Sequence, residues 1–405
     1  MKNLPLQASC LCAAVAFCGP AQSQVQSQPQ TRPQADSQKP LEHVLVTVPM
    51  HRTQAETALP VTVLSGDDLH QRVATSIGET LSGKPGLASA SFGPAVGQPV
   101  IRGQQGARVT VLSNSTSSAD ASNISADHAV SVEPILAESI EVLRGPSTLL
   151  YGGGAIGGVV NVVDGRIPVA VPGQPTGALE LRHASVNDEK TAVFKASAGT
   201  GSFAFYVDGV VSESNNVDIP GHAVADEEHA DESSDGYIAN TDGDRSSFTL
   251  GSSYFFERGF IGLAVSQLDN DYGIPAGAHE HDDHDEDHEE DHEEDHDDEH
   301  EEEENVRIDI KQTRYDLRAD YHPELAFIES IRGFSTYTDY QHDELENGVV
   351  GTEWSNESWE NRIEVVQQPS VDRGRVIGLQ VKSSDIAAVG TESFIPQTDV
   401  NHYGV

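Results

Sequence analysis

Arg314-Tyr315-Asp316-Leu317-Arg318-Ala319-Asp320-Tyr321 alternates without a break, apolar or aromatic at every odd position and charged at every even one. A period of two sends successive side chains to opposite faces of a strand, so this stretch has one apolar face and one charged face. Working outward, Phe203, Phe205 and Val207 alternate in the same way, as do Phe248 and Leu250, and Ile377, Leu379 and Val381. Strands of this kind, joined by turns or long polar loops, are the recurrent pattern of a transmembrane β-barrel with a lipid face and an aqueous lumen. A soluble β-sandwich alternates too, so alternation alone leaves both architectures open. Arginine and aspartate facing each other along the inward positions favour a wet interior. About ten strands fit between residues 177 and 405.

The 405 residues hold 65 Asp and Glu against 24 Lys and Arg, a formal net charge of −41. A polyphosphate needs cationic neutralisation, so this balance excludes a nucleic-acid binder held by a basic surface. No apolar run approaches the ~18 residues a membrane-spanning helix needs, a test that a β-barrel survives. No nucleophile and base stand together beyond what composition produces by chance, so the chain does not read as an enzyme.

The N-terminus reads as a targeting signal over residues 1–21. Lys2 precedes an apolar stretch from Ala8 to Phe17, and Gly19, Pro20 and Ala21 offer a small-residue cleavage site. Cys10, Cys12 and Cys18 all fall inside it. The mature chain is therefore expected to lack thiols, and any metal it binds must use His and carboxylate ligands. A Gln, Ser and Pro-rich linker follows over residues 22–41.

Residues 42–169 read as a small mixed α/β domain. Leu59 to Leu64 is strand-like and leads into Gly66-Asp67-Asp68-Leu69, where an Asp can cap a helix. Ser76 to Leu81 reads as a second short helix, stopped by Gly83 and Pro85. Pro99 to Gly103, Arg108 to Leu112, Ser139 to Leu143 and Gly158 to Val163 are strand-like. Gly152-Gly153-Gly154-Ala155-Ile156-Gly157 has the spacing G-x-G-x-x-G, but a dinucleotide loop opens a helix and Val159 to Val163 reads as a strand.

This order of parts resembles the TonB-dependent outer-membrane receptors. Ile140-Glu141-Val142-Leu143-Arg144-Gly145-Pro146-Ser147-Thr148-Leu149-Leu150-Tyr151-Gly152 is similar to the signature of their plug domain, with Arg144, Gly145, Pro146, Tyr151 and Gly152 at its centre. Ile101-Arg102-Gly103 and Gly157-Gly158-Val159-Val160-Asn161-Val162 match as well. Val44-Leu45-Val46-Thr47-Val48 is similar to the TonB box, an extended segment that can add a strand to the energising partner TonB. The resemblance implies a small α/β plug domain inside a transmembrane antiparallel β-barrel, in the outer membrane and in contact with its lipid, and expected as a monomer. A plugged barrel of about 22 strands is expected in the family. Residues 170–405 have room for only about ten, so the chain reads as plug plus the N-terminal part of the barrel.

Histidines and acids suggest the cargo. Residues 278–304 read as an extracellular loop in which His279, His281, His284, His288, His292, His296 and His300 are separated by acids alone from 279 onward. Such like charges repel and stay extended without metal, while imidazole beside carboxylate suits borderline divalent cations such as Zn²⁺. His222 and His229, among further acids, could extend this bait. Inside the plug, Asp127-His128 can offer an oxygen and a nitrogen to one ion. That dipeptide, with Val132-Glu133-Pro134-Ile135-Leu136-Ala137-Glu138-Ser139-Ile140 and Tyr272-Gly273-Ile274-Pro275 before the histidine-rich loop, resembles the ZnuD-type zinc receptors. The resemblance makes Asp127 and His128 plug ligands and leaves the rest to the barrel wall, where His342, Glu344 and Glu346 are the candidates. The function implied is TonB-dependent zinc import with no catalytic cofactor. A receptor for haem or a metal-siderophore chelate, with His128 on haem iron, is the alternative, and a surface metal buffer is the alternative outside transport.

Overall fold

The computed structural model describes residues 61–152, 154–223, 235–275, 305–367, 375–391 and 396–405. Val44 to Val48, His229 and all seven histidines of the acidic run lie outside these residues. Residues Glu42–Val405 form one compact unit.

The small domain contains β1 (Val61–Ser65), α1 (Gly66–His70), α2 (Ile77–Leu81), β2 (Leu87–Ser91), β3 (Gly97–Ile101), β4 (Val109–Ser113), β5 (Thr116–Ser117), β6 (Ser139–Leu143) and β7 (Gly158–Val163). Five strands pair in the order β1-β6-β7-β4-β5, with β4 and β7 parallel, and β2 pairs with β3. Its core is aliphatic: Leu64, Ile77, Leu81, Ile101, Ile140, Val142 and Val160 are all buried together. The second short helix forms as the sequence suggests, and Ser76 caps its start, its Oγ accepting from Glu79 N at 3.2 Å. At α1 the expectation fails. Ser65 is the N-cap and makes no side-chain cap bond, whereas Asp67 and Asp68 lie in the first turn and Asp68 pairs with Arg72 and Lys84.

From Thr176 onward the chain is almost all strand: β8 (Thr176–Ala184), β9 (Glu189–Thr200), β10 (Phe203–Ser214), β11 (Val217–His222), β12 (Asp235–Ile238), β13 (Gly243–Phe256), β14 (Gly259–Ile274), β15 (Val306–Tyr321), β16 (Ile328–Glu346), β17 (Val349–Gln367), β18 (Val376–Gly390) and β19 (Thr398–Gly404). Strands β11 and β12 make a separate hairpin, and the other ten form one antiparallel meander. This is the expected ten-stranded wall. Its outward face carries Leu250, Leu263, Tyr315, Trp359, Ile363 and Ile377, all exposed and apolar or aromatic. Near the short turns at one end, Phe203 packs at a tilt against Tyr254 and Phe256 against Tyr321, a row of the kind that forms the aromatic girdle of an outer-membrane wall.

The inward face carries Gln312, Arg314, Asp316, Thr336, Thr338, His342 and Glu344, all buried. They are buried because the plug lies against them. Arg314 donates to Ser117 O at 2.7 Å and Ser113 O at 3.3 Å, Gln312 to Ser118 O at 3.1 Å, and Asn356 to Ala119 O at 2.9 Å. Arg314 and Asp316, neighbours on the inward face, also bond each other at 3.0 Å, so charges that would be costly against protein are paired there.

Candidate metal centre

Strands β16 and β17 are joined by Asn347-Gly348, both at positive φ (50° and 80°), a two-residue hairpin turn that fixes their register. Pairing then shifts by one residue: Leu345 faces Val350, but Glu344 faces Thr352, leaving Gly351 as a bulge. The bulge decides which face Trp354 occupies. With it, Trp354 pairs with His342 and turns inward; without it, the alternation would send Trp354 to the outside. His342 and Glu344, two apart on one strand, share the inward face.

From the plug comes a loop that follows a short 3-10 turn at Ala121–Asn123. Gln98 on β3 is buried beneath it, and its Nε2 donates to Ser122 O at 2.8 Å, Ser125 O at 2.9 Å and His128 O at 3.2 Å. Asp120 accepts from Ser122 N at 3.1 Å and from Ser131 N at 2.8 Å, closing the loop on itself. The wall grips the same loop, because Tyr272 Oη accepts from Ala129 N at 2.9 Å.

These restraints carry His128 to the wall. Its Nε2 lies 2.9 Å from His342 Nε2 and 3.0 Å from Glu344 Oε1, and the last two atoms are 3.3 Å apart. Two nitrogens and one oxygen thus converge from the plug and the wall, all three residues buried. A tetrahedral Zn²⁺ with bonds of about 2.0–2.1 Å would set its ligands about 3.3–3.4 Å apart. The observed triangle needs to open by only a few tenths of an ångström to accept one, leaving the fourth position for another ligand.

Asp127 stands differently from expectation. Its Oδ1 meets His128 Nδ1 at 2.9 Å, on the side of the ring away from the triangle. A carboxylate there fixes the ring and strengthens the opposite nitrogen as a donor, so in this geometry Asp127 orients His128 and its Oδ1 stands outside the triangle. Glu346 is not brought in: it lies two residues further along β16, and its Oε1 accepts from Thr391 Oγ1 at 3.2 Å. His222 ends β11 at an exposed position. In the plug signature, Arg144 bonds Thr62 Oγ1 and Pro85 O, Gly145 takes a positive φ of 68° beside Pro146, and Gly152 takes 94°. Buried Tyr151 lies under the Arg362 guanidinium at 4.3 Å, so the signature ties plug to wall rather than touching the metal triangle. Gln98, Tyr272 and Trp354 were not singled out as site residues by sequence. Tyr272 had a signal in its place just before the histidine-rich loop; a buried Gln beneath a loop leaves none.

Residues 53–159 match the family model of the TonB-dependent receptor plug domain. Among curated relatives, a hemin receptor of Yersinia enterocolitica is 31% identical over 199 residues, 46% of this chain and 27% of that protein. A hemin receptor of Yersinia pestis is 31% identical over 170 residues, 40% of this chain and 23% of the relative. The chain thus spans about a quarter of these relatives' length. Among solved structures, the copper transporter OprC superposes with a TM-score of 0.65 at 16% identity, covering 85% of this chain and 49% of that one. The Serratia marcescens hemophore receptor HasR, solved with its hemophore and heme, gives 0.64 at 13% identity, covering 85% and 48%. The ferric enterobactin receptor PfeA gives 0.58 at 13%, covering 82% and 50%. Residues 53–159 thus match a TonB-dependent receptor plug domain, and with the ten-stranded antiparallel wall against it the chain has a fold similar to about half of a plugged, TonB-dependent β-barrel.

Proposed function

We propose that this chain belongs to a TonB-dependent importer of a divalent transition-metal ion, Zn²⁺ in the first place, with His128, His342 and Glu344 as its binding site. The observation that carries the reading is the convergence of those three donors, buried, across the boundary between plug and wall. One ligand rides on the plug and two on the wall, so an ion held there joins the two bodies, and any plug displacement must break the coordination and free the cargo. The acidic histidine run supplies loose first capture through electrostatic attraction, and the TonB box, Val44 to Val48, is where the energising partner takes hold. The wall faces outer-membrane lipid. No bond in the cargo is made or broken.

Donor type alone does not select zinc. By the usual affinity order Cu²⁺ binds nitrogen and oxygen donors at least as tightly, so selection rests on geometry and supply. A second reading has a specific support: the curated relatives are hemin receptors, and His128 or His342 could serve as an axial ligand. Against it, two imidazoles on opposite faces of one iron would stand about 4 Å apart at bonds of about 2.0 Å. Here they stand 2.9 Å apart, with Tyr340 and Trp354 packed against the His342 ring. A porphyrin would have to displace that packing. A surface metal buffer would not need a plug ligand at all.

The test is calorimetry on the full-length receptor with Zn²⁺ and, separately, hemin, comparing wild type, His342→Ala, Asp127→Ala with His128→Ala, and a deletion of residues 279–304. The expected outcome is one tight Zn²⁺ site, lost in both substituted proteins and kept in the deletion, which loses only weak sites. Tight hemin binding that His342→Ala abolishes, without a tight zinc site, overturns the ion reading. Deleting Val44 to Val48 then separates importer from buffer, since an importer keeps binding and loses uptake.

A further inference from the structure

His128 and His342 present the same nitrogen to the triangle but are held there by different means. His128 is fixed through its far nitrogen by Asp127 at 2.9 Å. His342 Nδ1 is buried and has no hydrogen-bond partner among the described residues. A metal-binding histidine ordinarily bonds a carboxylate, carbonyl or water through its second nitrogen, which fixes ring rotation and tautomer. Among the described residues, His342 is offered ring contacts instead.

The candidate is the residue opposite it. The Trp354 indole lies nearly parallel to the His342 ring, with centroids 5.5 Å apart and planes at 18°. Tyr340 closes on the same ring edge-on at 5.5 Å and 67°. The indole also reaches His128, at 5.9 Å and 59°, so one side chain touches both imidazoles. Trp354 is only 4% exposed, and its inward position exists because of the bulge at Gly351.

We infer that Trp354 is a positioning residue of the metal centre, its ring face holding the His342 imidazole in the orientation that a hydrogen bond provides for His128. The inference rests on the metal-site reading above. It has a chemical consequence. A ring oriented by stacking gains no electron density from an acceptor on Nδ1, so His342 is the weaker of the two nitrogen donors. Of the two imidazoles, the wall's is then the one that lets go more easily as the plug begins to move. A side chain that merely filled space would act through its volume, and any apolar replacement of similar reach would serve.

The experiment uses the full-length receptor loaded with Co²⁺, whose visible absorption reports the geometry of its ligands, and with Zn²⁺ in competition. Trp354→Phe keeps a ring face, and Trp354→Met fills the space with a flexible chain. The Phe variant is expected to keep the Co²⁺ bands and to hold Zn²⁺ within about threefold of wild type. The Met variant is expected to shift the bands and lose about tenfold or more, the usual cost of removing an orienting partner. In wild type, zinc should also perturb the indole absorption, and Trp354→Phe should remove that change, a comparison that does not need the Met variant to fold. A Met variant with unchanged bands and affinity, or a Phe variant as impaired as Met, overturns the inference. Wild-type protein that binds neither ion overturns the metal-centre reading itself and this inference with it.

Discussion

His128 carries a proton where a cation would go. Burial by itself drives the ring toward neutrality, but hydrogen bonds to Asp127 and Glu344 outweigh it and bring its pKa up from 6.5 to about 9. At neutral pH the metal-free ring is therefore charged, with Asp127 on one nitrogen and Glu344 on the other. A metal takes the neutral imidazole, so each ion that binds must expel that proton. Close to one proton per Zn²⁺ is expected at pH 7, declining above about 9, and calorimetry in buffers of different ionisation enthalpy measures it. Affinity should rise with pH across the neutral range for the same reason. Because the folded pKa is the higher one, the proton stabilises the metal-free protein fully below about 6.5, and this contribution is lost as pH rises through about 9. Asp127→Asn removes the main charge that holds the proton and also unfixes the ring. It should release fewer protons per ion and bind Zn²⁺ about 10- to 100-fold more weakly; unchanged proton release would show that Glu344 alone sets the ring's charge.

The element that stands between this site and the rest of the plug is the hairpin from β4 to β5 and the turn after it. Asn114, Ser115 and Ala119 all take positive φ, at 51°, 75° and 58°, a conformation that costs non-glycine residues energy and persists when surroundings impose it. The plug itself holds Asn114 and Ser115, through Asp164 at 3.0 Å and Asn161 at 2.8 Å, and the wall holds the turn that follows through Arg314, Gln312, Asn356 and Glu360, which accepts from Ser117 N at 2.8 Å. Thr116 Oγ1 and Thr336 Oγ1 meet across the boundary at 3.1 Å. Thr116→Cys with Thr336→Cys places two sulfurs within bonding reach in a chain whose own cysteines all precede residue 19. The oxidised protein is expected to bind Zn²⁺ normally and import none, with uptake restored by a reductant; uptake that continues while oxidised would show that this hairpin need not leave the wall. Legibility in the sequence follows the same physics. The wall strands were readable because each has one face in lipid and one against polar groups, which forces a period of two. His342, Glu344 and Glu346 lie at alternate positions of one strand, and Glu346 looked equal to the other two because alternation fixes a face and not the distance along it; the bulge at Gly351, invisible to alternation, hid Trp354. That His128 meets residues 214 and 216 positions away is decided by topology alone, and no local pattern reports it.

At the scale of the molecule, the net charge of −41 is gathered in large part into residues 279–304, and the described residues at either end of that stretch lie near the proposed ion site. Ile274 at the end of β14 and Val306 at the start of β15 pack with Ile308, Ile310, Tyr272 and Tyr340 in one buried cluster beside His342. In the proposed reading, an acidic run joined to the wall at these two residues gives a cation drawn to it a short remaining search. Attraction of this kind is long-ranged only in dilute salt, since screening falls from about 10 Å at 0.1 M to about 3 Å at 1 M. Equilibrium affinity at the buried triangle depends instead on His128, His342 and Glu344, which the loop does not supply. Deleting residues 279–304 should accordingly leave the affinity of the tight site within about twofold of wild type while slowing zinc capture at low ionic strength, and the difference should vanish toward 1 M salt. Stopped-flow mixing of Zn²⁺ with the two proteins across a salt series measures this. A capture rate that the deletion lowers equally at every ionic strength would mean that the histidines act by ligation rather than the carboxylates by their field. The loop would then be a first coordination site in its own right, from which the ion passes to the buried one by ligand exchange.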